Sequence, residues 1–280
     1  MDSEYLTLKG NGGVMKSPKL RLSLVLLISS ATLLHASRFQ PKQEISDGIF
    51  HLKPQRPVEE LRAQALRSSP PVELGQFRKP DLVELVKLDP TIKLDIRYAT
   101  DQNFLSTPMY SQARAFLQRP AAEALVRANQ KLHAEGYGVV IHDAYRPWYV
   151  TKMFWDATPD DKKIFVADPA TGSKHNRGCA VDLSIYDLKT GREVSMPSVY
   201  DEMTPRAFAE YPGGTMEERQ HRATLRGAME AEGFTIYPNE WWHYDYKDWK
   251  EYPIMNVRFE DLGSGGQSAT RLSRTQRAVR

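Results

Sequence analysis

The sequence predicts an α+β fold, with an antiparallel central sheet and helices packed on it. Two observations lead to this class. Short segments with an apolar side chain at every second position are joined by turns and long loops, and the helical segments fall in groups between them rather than in strict alternation with strands. The chain has 280 residues, of which 26% are charged and 10% are aromatic. This composition fits one globular domain and excludes a fibrous or fully disordered protein.

Each element is predicted from its periodicity and from the residues at its ends. Strands are expected where apolar and polar residues alternate, or where a short apolar segment is bounded by turn residues. Pro120 favours the first turn of a helix, and Gly136 ends that helix. The predicted strands are 91–98, 139–141, 179–185, 234–237 and 239–246, and the predicted helices are 120–135, 148–156 and 217–232.

Residues 1–36 are predicted to be a start-site extension followed by a signal peptide. A basic segment, Lys16 to Arg21, precedes the apolar segment Leu22 to Leu34, and small residues follow. Met15 directly precedes the basic segment and is the expected start. The apolar segment is too short for a comfortable membrane span, so no stable span is expected after removal of the signal. The sequence predicts export to the periplasm; an uncleaved anchor is the alternative, because Leu34-His35-Ala36 is a poor cleavage site.

Two more segments are predicted to lie outside the domain, which is expected over 81–262. Residues 37–80 contain six prolines and little apolar periodicity, which predicts a tether with one short helix around Val58–Leu66. Residues 263–280 contain four arginines and no acidic residue, which predicts a disordered basic tail. The net charge of only +3 gives no reason to expect a nucleic-acid partner.

The strongest local feature is the segment 173–182. His175 is expected in a loop and Asp182 on the polar face of an apolar strand, so the two could converge on one ion. Gly178 permits the tight turn between them. A carboxylate in that position is costly unless a cation or hydrogen bonds compensate it. A histidine hydrogen-bonded to an aspartate is the simpler interpretation of this segment alone.

The segment 240–243, Glu-Trp-Trp-His, supplies the other half of a metal site. A histidine ligand with a glutamate three residues before it combines a ligand with a nearby base. Residues three apart point to opposite faces of a regular strand, so this segment must bend, and Pro238 gives a reason for the irregularity. Together with His175 and Asp182, His243 would leave an open coordination position for water. The alternative is an edge strand with two buried tryptophans.

Arg146 is expected where a strand gives way to a helix, in the segment 143–147, Asp-Ala-Tyr-Arg-Pro. An arginine there could be a surface salt-bridge partner. In a hydrolase it could instead stabilise the oxyanion of a tetrahedral intermediate, because its charge is permanent and its donors are fixed in a plane.

These motifs resemble the D-alanyl-D-alanine dipeptidases of the VanX type, within the LAS group of zinc peptidases that also holds D,D-carboxypeptidases and the hedgehog domain. The segments 173–182 and 240–243 are shared with D,D-carboxypeptidases, whereas 98–104 and 200–203 favour the dipeptidase. The matching segments occur in the family's order and are 94–100 with 103–104, 143–147, 173–182, 196–203 and 240–243.

The resemblance implies a fold of the LAS and hedgehog type and one zinc ion per chain. It implies hydrolysis of a small D,D-dipeptide, D-alanyl-D-alanine, to two D-alanines by metal-activated water. The implied roles are zinc binding for His175, Asp182 and His243, general base for Glu240, transition-state stabilisation for Arg146, substrate carboxylate binding for Ser173 and substrate ammonium binding for Asp201.

Three alternatives stay open. A D,D-carboxypeptidase acting on peptidoglycan stem peptides shares two of the motifs. A non-catalytic zinc binding module of the hedgehog type would have no need of Glu240. A cysteine hydrolase would use Cys179, the only cysteine, but nothing near it in the sequence except His175 could activate the thiol.

Overall fold

The computed structural model describes residues 45–263, so the predicted signal peptide over 1–36 and the predicted tail beyond Gly263 lie outside the described residues. Within 45–263, no helix combines the length and the apolar character needed to cross a membrane. The strands are β1 (Ile45–Ser46), β2 (Ile49–Phe50), β3 (Leu82–Glu84), β4 (Lys93–Leu94), β5 (Phe116–Gln118), β6 (Tyr137–Asp143), β7 (Ala180–Asp187), β8 (Phe234–Tyr237) and β9 (Glu240–Tyr246). The α-helices are α1 (Val58–Arg67), α2 (Leu85–Leu88), α3 (Arg119–Ala134), α4 (Trp148–Ala157) and α5 (Met216–Glu230).

A five-stranded sheet in the order β4-β6-β7-β9-β8 forms the centre of the fold. The pairings β6 with β7, β7 with β9 and β8 with β9 are antiparallel, whereas β4 pairs with β6 in parallel. The sheet is therefore mixed, not purely antiparallel as the sequence predicted. The parallel pair arises because the chain crosses over through α3 between β4 and β6 and returns in the same direction.

The strand predicted over 91–98 is shorter in the structure. Only Lys93 and Leu94 pair with β6, and Arg97–Ala99 forms a 3-10 turn. Ile96 and Tyr98 are nevertheless buried, as the alternation required. The pattern correctly indicated which side chains face the core but not which residues pair, because alternating burial does not require a hydrogen-bonded neighbour.

The predicted helices are confirmed within a few residues. Pro120 lies in the first turn of α3, whose buried face packs against β6 and α5. Helix α5 begins with a capping box, in which the Thr215 hydroxyl accepts from the backbone N–H of Glu218 and the Glu218 carboxylate accepts from the backbone N–H of Thr215.

The segment 45–80 differs from the predicted tether, because it packs against the domain. Its short helix, α1, lies on α4 with Leu61 and Ala65 fully buried. Further along, the Glu73 carboxylate accepts from Arg177 at 2.5 Å and from the backbone N–H of Ile254 at 2.6 Å. The prolines interrupt the apolar periodicity, but they do not prevent contacts with residues far along the chain.

Candidate active site

Two neighbouring strands and one turn bring the three predicted metal ligands together. Asp182 on β7 and His243 on β9 are direct cross-strand partners, and His175 opens the 3-10 turn just before β7. The donor atoms form a triangle: His175 Nε2 lies 3.1 Å from His243 Nδ1 and 3.2 Å from Asp182 Oδ1, and the last two atoms are 3.0 Å apart. All three side chains are buried.

The dimensions of this triangle fit a zinc ion. Ligands about 2.0–2.1 Å from a tetrahedral zinc lie about 3.3 Å from one another. The outer ring nitrogens of both histidines are held as well: His175 Nδ1 donates to the carbonyl of Ala144 at 2.7 Å, and His243 Nε2 donates to Asp245 Oδ1 at 2.9 Å. With a metal ion bound, these bonds would keep the ring protons outside the triangle and direct the lone pairs of the other nitrogens into it.

The electrostatics of the cluster favour a positive charge at its centre. Burial opposes the charged imidazolium of His243, but the carboxylates of Asp245 and Asp182 outweigh that effect and raise its pKa to about 10. Burial likewise opposes the charged Asp182, yet His175 and His243 hold its pKa well below the usual range. The same carboxylates that retain a proton here would stabilise a divalent ion in its place.

Gly178 fixes the turn that carries His175. Its backbone φ is +68°, and its N–H donates to the His175 carbonyl at 3.0 Å. A Cβ at this position would lie 2.6 Å from Leu82 Cδ2 and 3.4 Å from the backbone nitrogen of Gln118. The tight turn expected from the sequence therefore requires glycine for its conformation and for the close approach of β3 and β5.

Glu240 reaches the metal cluster because β9 is irregular. Ile236 pairs with Tyr244, whereas the next residue, Tyr237, pairs with Glu240, so β9 has three extra residues at this point. The bend expected from the sequence is present. Glu240 Oε2 lies 3.7 Å from His243 Nδ1. Burial raises the pKa of Glu240 to about 8, with His243 opposing the shift; a divalent ion in the cluster would lower it.

Arg146 is buried beside the same cluster. Its Nε and Nη2 atoms each lie 2.8 Å from Asp143 Oδ2, and Nη2 lies 3.5 Å from Asp182 Oδ2. The guanidinium carbon is 4.8 Å from the ring centroid of Phe154 and 5.4 Å from that of Tyr98. The side chain is only 9% exposed, which contradicts the alternative of a surface salt bridge.

Of the two predicted substrate-binding residues, Ser173 is buried and Asp201 is partly buried. Ser173 Oγ accepts from the backbone N–H of His175 at 3.2 Å. The Tyr98 hydroxyl lies 2.9 Å from each Asp201 carboxylate oxygen, and the Asp201 backbone has φ of +61°. Burial raises the pKa of Asp201 to about 7, and the Asp182 carboxylate adds to that effect.

One cavity of about 360 Å³ joins these groups. A volume near the lower end of the usual range for ligand pockets, about 300–1,000 Å³, suits a small molecule. All seven residues selected from the sequence line it, namely Arg146, Ser173, His175, Asp182, Asp201, Glu240 and His243.

Sequence reasoning missed three contributors to this site. The Tyr200 hydroxyl donates to Asp182 Oδ2 at 3.0 Å, Asp143 binds Arg146, and Asp245 binds His243. A signal for Asp245 was present, because residues two apart on a strand lie on one face. Asp143 and Tyr200 stood inside recognised motifs, but only tertiary packing shows what they contact.

Cys179 takes no part in the site. It is fully buried, its thiol donates to the Arg177 carbonyl at 3.6 Å, and it does not line the cavity. Burial holds the pKa of the thiol far above its ordinary value, with the Asp248 carboxylate adding to the effect. A thiolate nucleophile is therefore strongly disfavoured, and the structure contradicts the cysteine-hydrolase alternative.

Two histidines and one carboxylate that leave a fourth coordination position for water make up the ligand set of catalytic metal sites, whereas structural sites are closed by four protein ligands. The partly buried Glu240 and the buried Arg146 lie around the same position, and side chains of these types can serve as a base and as an oxyanion partner in hydrolysis. This combination defines a metal-dependent hydrolase.

A family model described as peptidase M15, D-Ala-D-Ala dipeptidase, matches residues 78–262. The chain belongs to this family of metallopeptidases. It is 33% identical to the D-alanyl-D-alanine dipeptidase of Escherichia coli K12 over 186 residues, covering 66% of this chain and 95% of that protein. The dipeptidase of Enterococcus faecium is 34% identical over 180 residues, covering 58% of this chain and 89% of that protein. The dipeptidase of Enterococcus faecalis V583 is 36% identical over 186 residues, covering 60% and 92%.

Among solved structures, the LdcB LD-carboxypeptidase is similar with a TM-score of 0.35 and 18% identity, covering 74% of this chain and 85% of that chain. This likeness is too slight to define the fold.

Proposed function

We propose that the protein hydrolyses D-alanyl-D-alanine to two D-alanines, with one zinc ion bound by His175, Asp182 and His243. The observation that carries the proposal is the triangle of donor atoms 3.0–3.2 Å apart, with the Glu240 carboxylate beside it in a small cavity. The substrate is inferred from the relatives, which are D-alanyl-D-alanine dipeptidases. The fold is proposed to be of the LAS and hedgehog type.

Glu240 is the proposed general base. When bound, zinc supplies a water of lowered pKa and a Lewis acid for the scissile carbonyl. Glu240 then accepts the proton of the attacking water and donates it to the departing amine. The Glu240 carboxyl would hold this proton between the two steps.

Arg146 is the proposed partner of the oxyanion in the transition state. Its guanidinium is fixed by Asp143 and lies against the rings of Phe154 and Tyr98. A charge that is already positioned before the reaction stabilises developing negative charge without reorganisation.

The two ends of the dipeptide are proposed to bind Asp201 and Ser173. The Asp201 carboxylate, oriented by the Tyr98 hydroxyl, would accept hydrogen bonds from the free ammonium. Ser173 would donate to the terminal carboxylate. A longer or N-acylated peptide would place a neutral amide against the partly buried Asp201 carboxylate, which favours the dipeptide over the D,D-carboxypeptidase alternative.

The test is hydrolysis of D-Ala-D-Ala, L-Ala-L-Ala and N-acetyl-D-Ala-D-Ala by the zinc-loaded protein, with and without a chelator. We expect turnover of the first substrate alone, lost with chelator and restored by zinc. Comparable cleavage of the N-acetyl peptide would favour the D,D-carboxypeptidase. Bound zinc without any turnover would favour the binding module.

Export is a separate proposal, supported by the basic, apolar and small-residue order of residues 16–37. The measurement is fractionation of cells that express the full chain, with a variant lacking residues 1–36 as the control. Full-length protein retained in the cytoplasm would contradict it.

A further inference from the structure

The cavity is lined by several acidic side chains, and these affect the binding of a substrate that itself carries a carboxylate. A substrate carboxylate would be repelled by these side chains unless a cation faces it, and the proposed zinc ion and Arg146 are assigned to the scissile carbonyl rather than to the end of the substrate. The carboxylates that line the cavity are Asp168, Asp182, Asp201 and Glu240, and the lining cations other than the histidines are Arg146 and Lys174.

Arg146 is already committed within the site. It bonds to Asp143, contacts Asp182 and lies against two aromatic rings, and it is 9% exposed. Breaking such a buried pair would leave the Asp143 carboxylate uncompensated. Arg146 therefore cannot turn away to bind the end of a substrate.

Lys174 is held more loosely. Its Nζ lies 3.3 Å from Asp245 Oδ2 and 5.4 Å from the ring centroid of Trp249, and its side chain is 33% exposed. Ion pairs that are partly solvated contribute little stability, so a ligand can share or replace this one. Asp245 would keep its separate hydrogen bond to His243 Nε2.

The backbone at Lys174 is held by hydrogen bonds, whereas its side chain is partly exposed. Its carbonyl accepts from the N–H groups of Arg177 and Cys179, both at 3.1 Å. The preceding residue, Ser173, accepts the N–H of His175 on its hydroxyl oxygen, so its hydroxyl hydrogen can point into the cavity. Two donors of different reach therefore start from adjacent, fixed positions beside the proposed metal ligand.

We infer that Lys174, together with the Ser173 hydroxyl, binds the terminal α-carboxylate of the dipeptide and thereby determines the preference for a substrate with a free carboxyl end. This inference rests on the proposed function. It assigns to Lys174 a positive charge at the carboxylate end of the dipeptide, apart from the zinc ion and Arg146 that are proposed to act on the scissile carbonyl, and to its flexible four-carbon stem the reach toward the substrate.

The experiment compares kcat and KM for D-Ala-D-Ala and for D-alanyl-D-alaninamide, which has nearly the same size but no terminal charge. For Lys174→Met we expect KM for the acid to rise about 10- to 100-fold, as for loss of one charge-assisted hydrogen bond, with kcat little changed. For the amide, kcat and KM of Lys174→Met should stay within about twofold of the wild-type values, because an uncharged substrate end gains little from the Lys174 ammonium. Lys174→Arg should retain most of the preference for the acid.

Lys250→Met is the matched control. The Lys250 ammonium also lies 5.4 Å from the Trp249 ring centroid, but Lys250 does not line the cavity. We expect unchanged constants for both substrates. Zinc content is measured for every variant, so that loss of metal is separated from loss of substrate binding.

Two results would overturn the inference while leaving the proposed function intact. Lys174→Met could lower activity toward acid and amide by the same factor, which would indicate an effect through Asp245 and His243. It could also leave the preference for the acid unchanged. If the zinc-loaded wild-type protein hydrolyses neither compound, the proposed function fails and the inference fails with it.

Discussion

The carboxylate of Asp143 joins two parts of the candidate site. Its Oδ2 binds the guanidinium of Arg146 and lies 3.8 Å from His175 Nδ1, while its Oδ1 accepts from the Tyr110 hydroxyl at 2.7 Å. The sequence placed Asp143 in a recognised motif with Arg146. Its role could not be read there, because the contacts to Tyr110 and His175 join residues more than 30 positions apart.

Replacing Asp143 should impair both stability and turnover. Asp143→Asn keeps the shape but removes the charge that compensates Arg146, so we expect a loss of about 3–5 kcal/mol in the free energy of unfolding. We also expect kcat to fall by more than KM rises, because Arg146 is no longer fixed. Denaturant unfolding and steady-state kinetics measure the two effects. Tyr110→Phe is the control and should cost about 0.5–1.5 kcal/mol; equal losses in the two variants would contradict the assignment.

The role of Glu240 predicts that metal binding and turnover can be separated. Glu240→Gln keeps the size of the side chain and leaves the three proposed ligands in place, but it removes the proposed base. We expect kcat to fall at least about 100-fold with zinc still bound at one equivalent. His243→Ala should lose both zinc and turnover. Substantial activity in Glu240→Gln would exclude this residue as the base.

At the scale of elements, periodicity predicted most helices and strands but not their pairing. The bend in β9 could be anticipated, because Glu240 and His243 are three residues apart and Pro238 precedes them. The early end of β4 could not. The alternation over 91–98 describes burial, and pairing depends on the path of the chain after Asp95, whose N–H still donates to Ile141 before the 3-10 turn.

The turn that contains Gly178 carries His175 into the candidate site. Gly178→Ala would place a Cβ on a residue with a left-handed backbone conformation and against Leu82. We therefore expect the free energy of unfolding to fall by about 1–3 kcal/mol, and zinc binding to weaken through displacement of His175. Thermal unfolding and a zinc competition assay measure these effects.

Gly227→Ala is the control for this substitution. Gly227 lies inside α5 with open space around its Cα, so alanine there should stabilise the protein by about 0.5–1 kcal/mol. Unchanged zinc affinity in Gly178→Ala would show that the turn does not position the ligand.

At the scale of the whole molecule, residues 45–77 are packed on the domain although they precede the segment matched by the family model. Their composition predicted a tether, since six prolines between 37 and 80 leave little periodicity to interpret. The segment is anchored by contacts with residues far along the chain, namely the packing of Leu61 and Ala65 on α4 and the bond of Glu73 with Arg177 in the turn that begins at His175. Such contacts leave no pattern in the local sequence.

Glu73→Ala tests whether this segment supports the site. The Arg177 side chain is 9% exposed and would lose its acidic partner. We therefore expect the free energy of unfolding to fall by about 3 kcal/mol or more, and zinc occupancy to be lower. Glu59→Ala is the control, because Glu59 pairs with Arg62 while 73% exposed and should cost at most about 1 kcal/mol. Similar melting temperatures for the two variants would mean that the segment does not support the turn.

The direct pairing of Asp182 with His243 has a consequence for assembly. Slippage by one residue between β7 and β9 would carry one member of the pair to the opposite side of the sheet, where Val181 and Leu183 lie. A bound divalent ion would stabilise only the native alignment, so folding in the presence of zinc should favour one strand alignment over its neighbours. A bound zinc ion would then select the correct strand register during folding, in addition to its proposed role in hydrolysis.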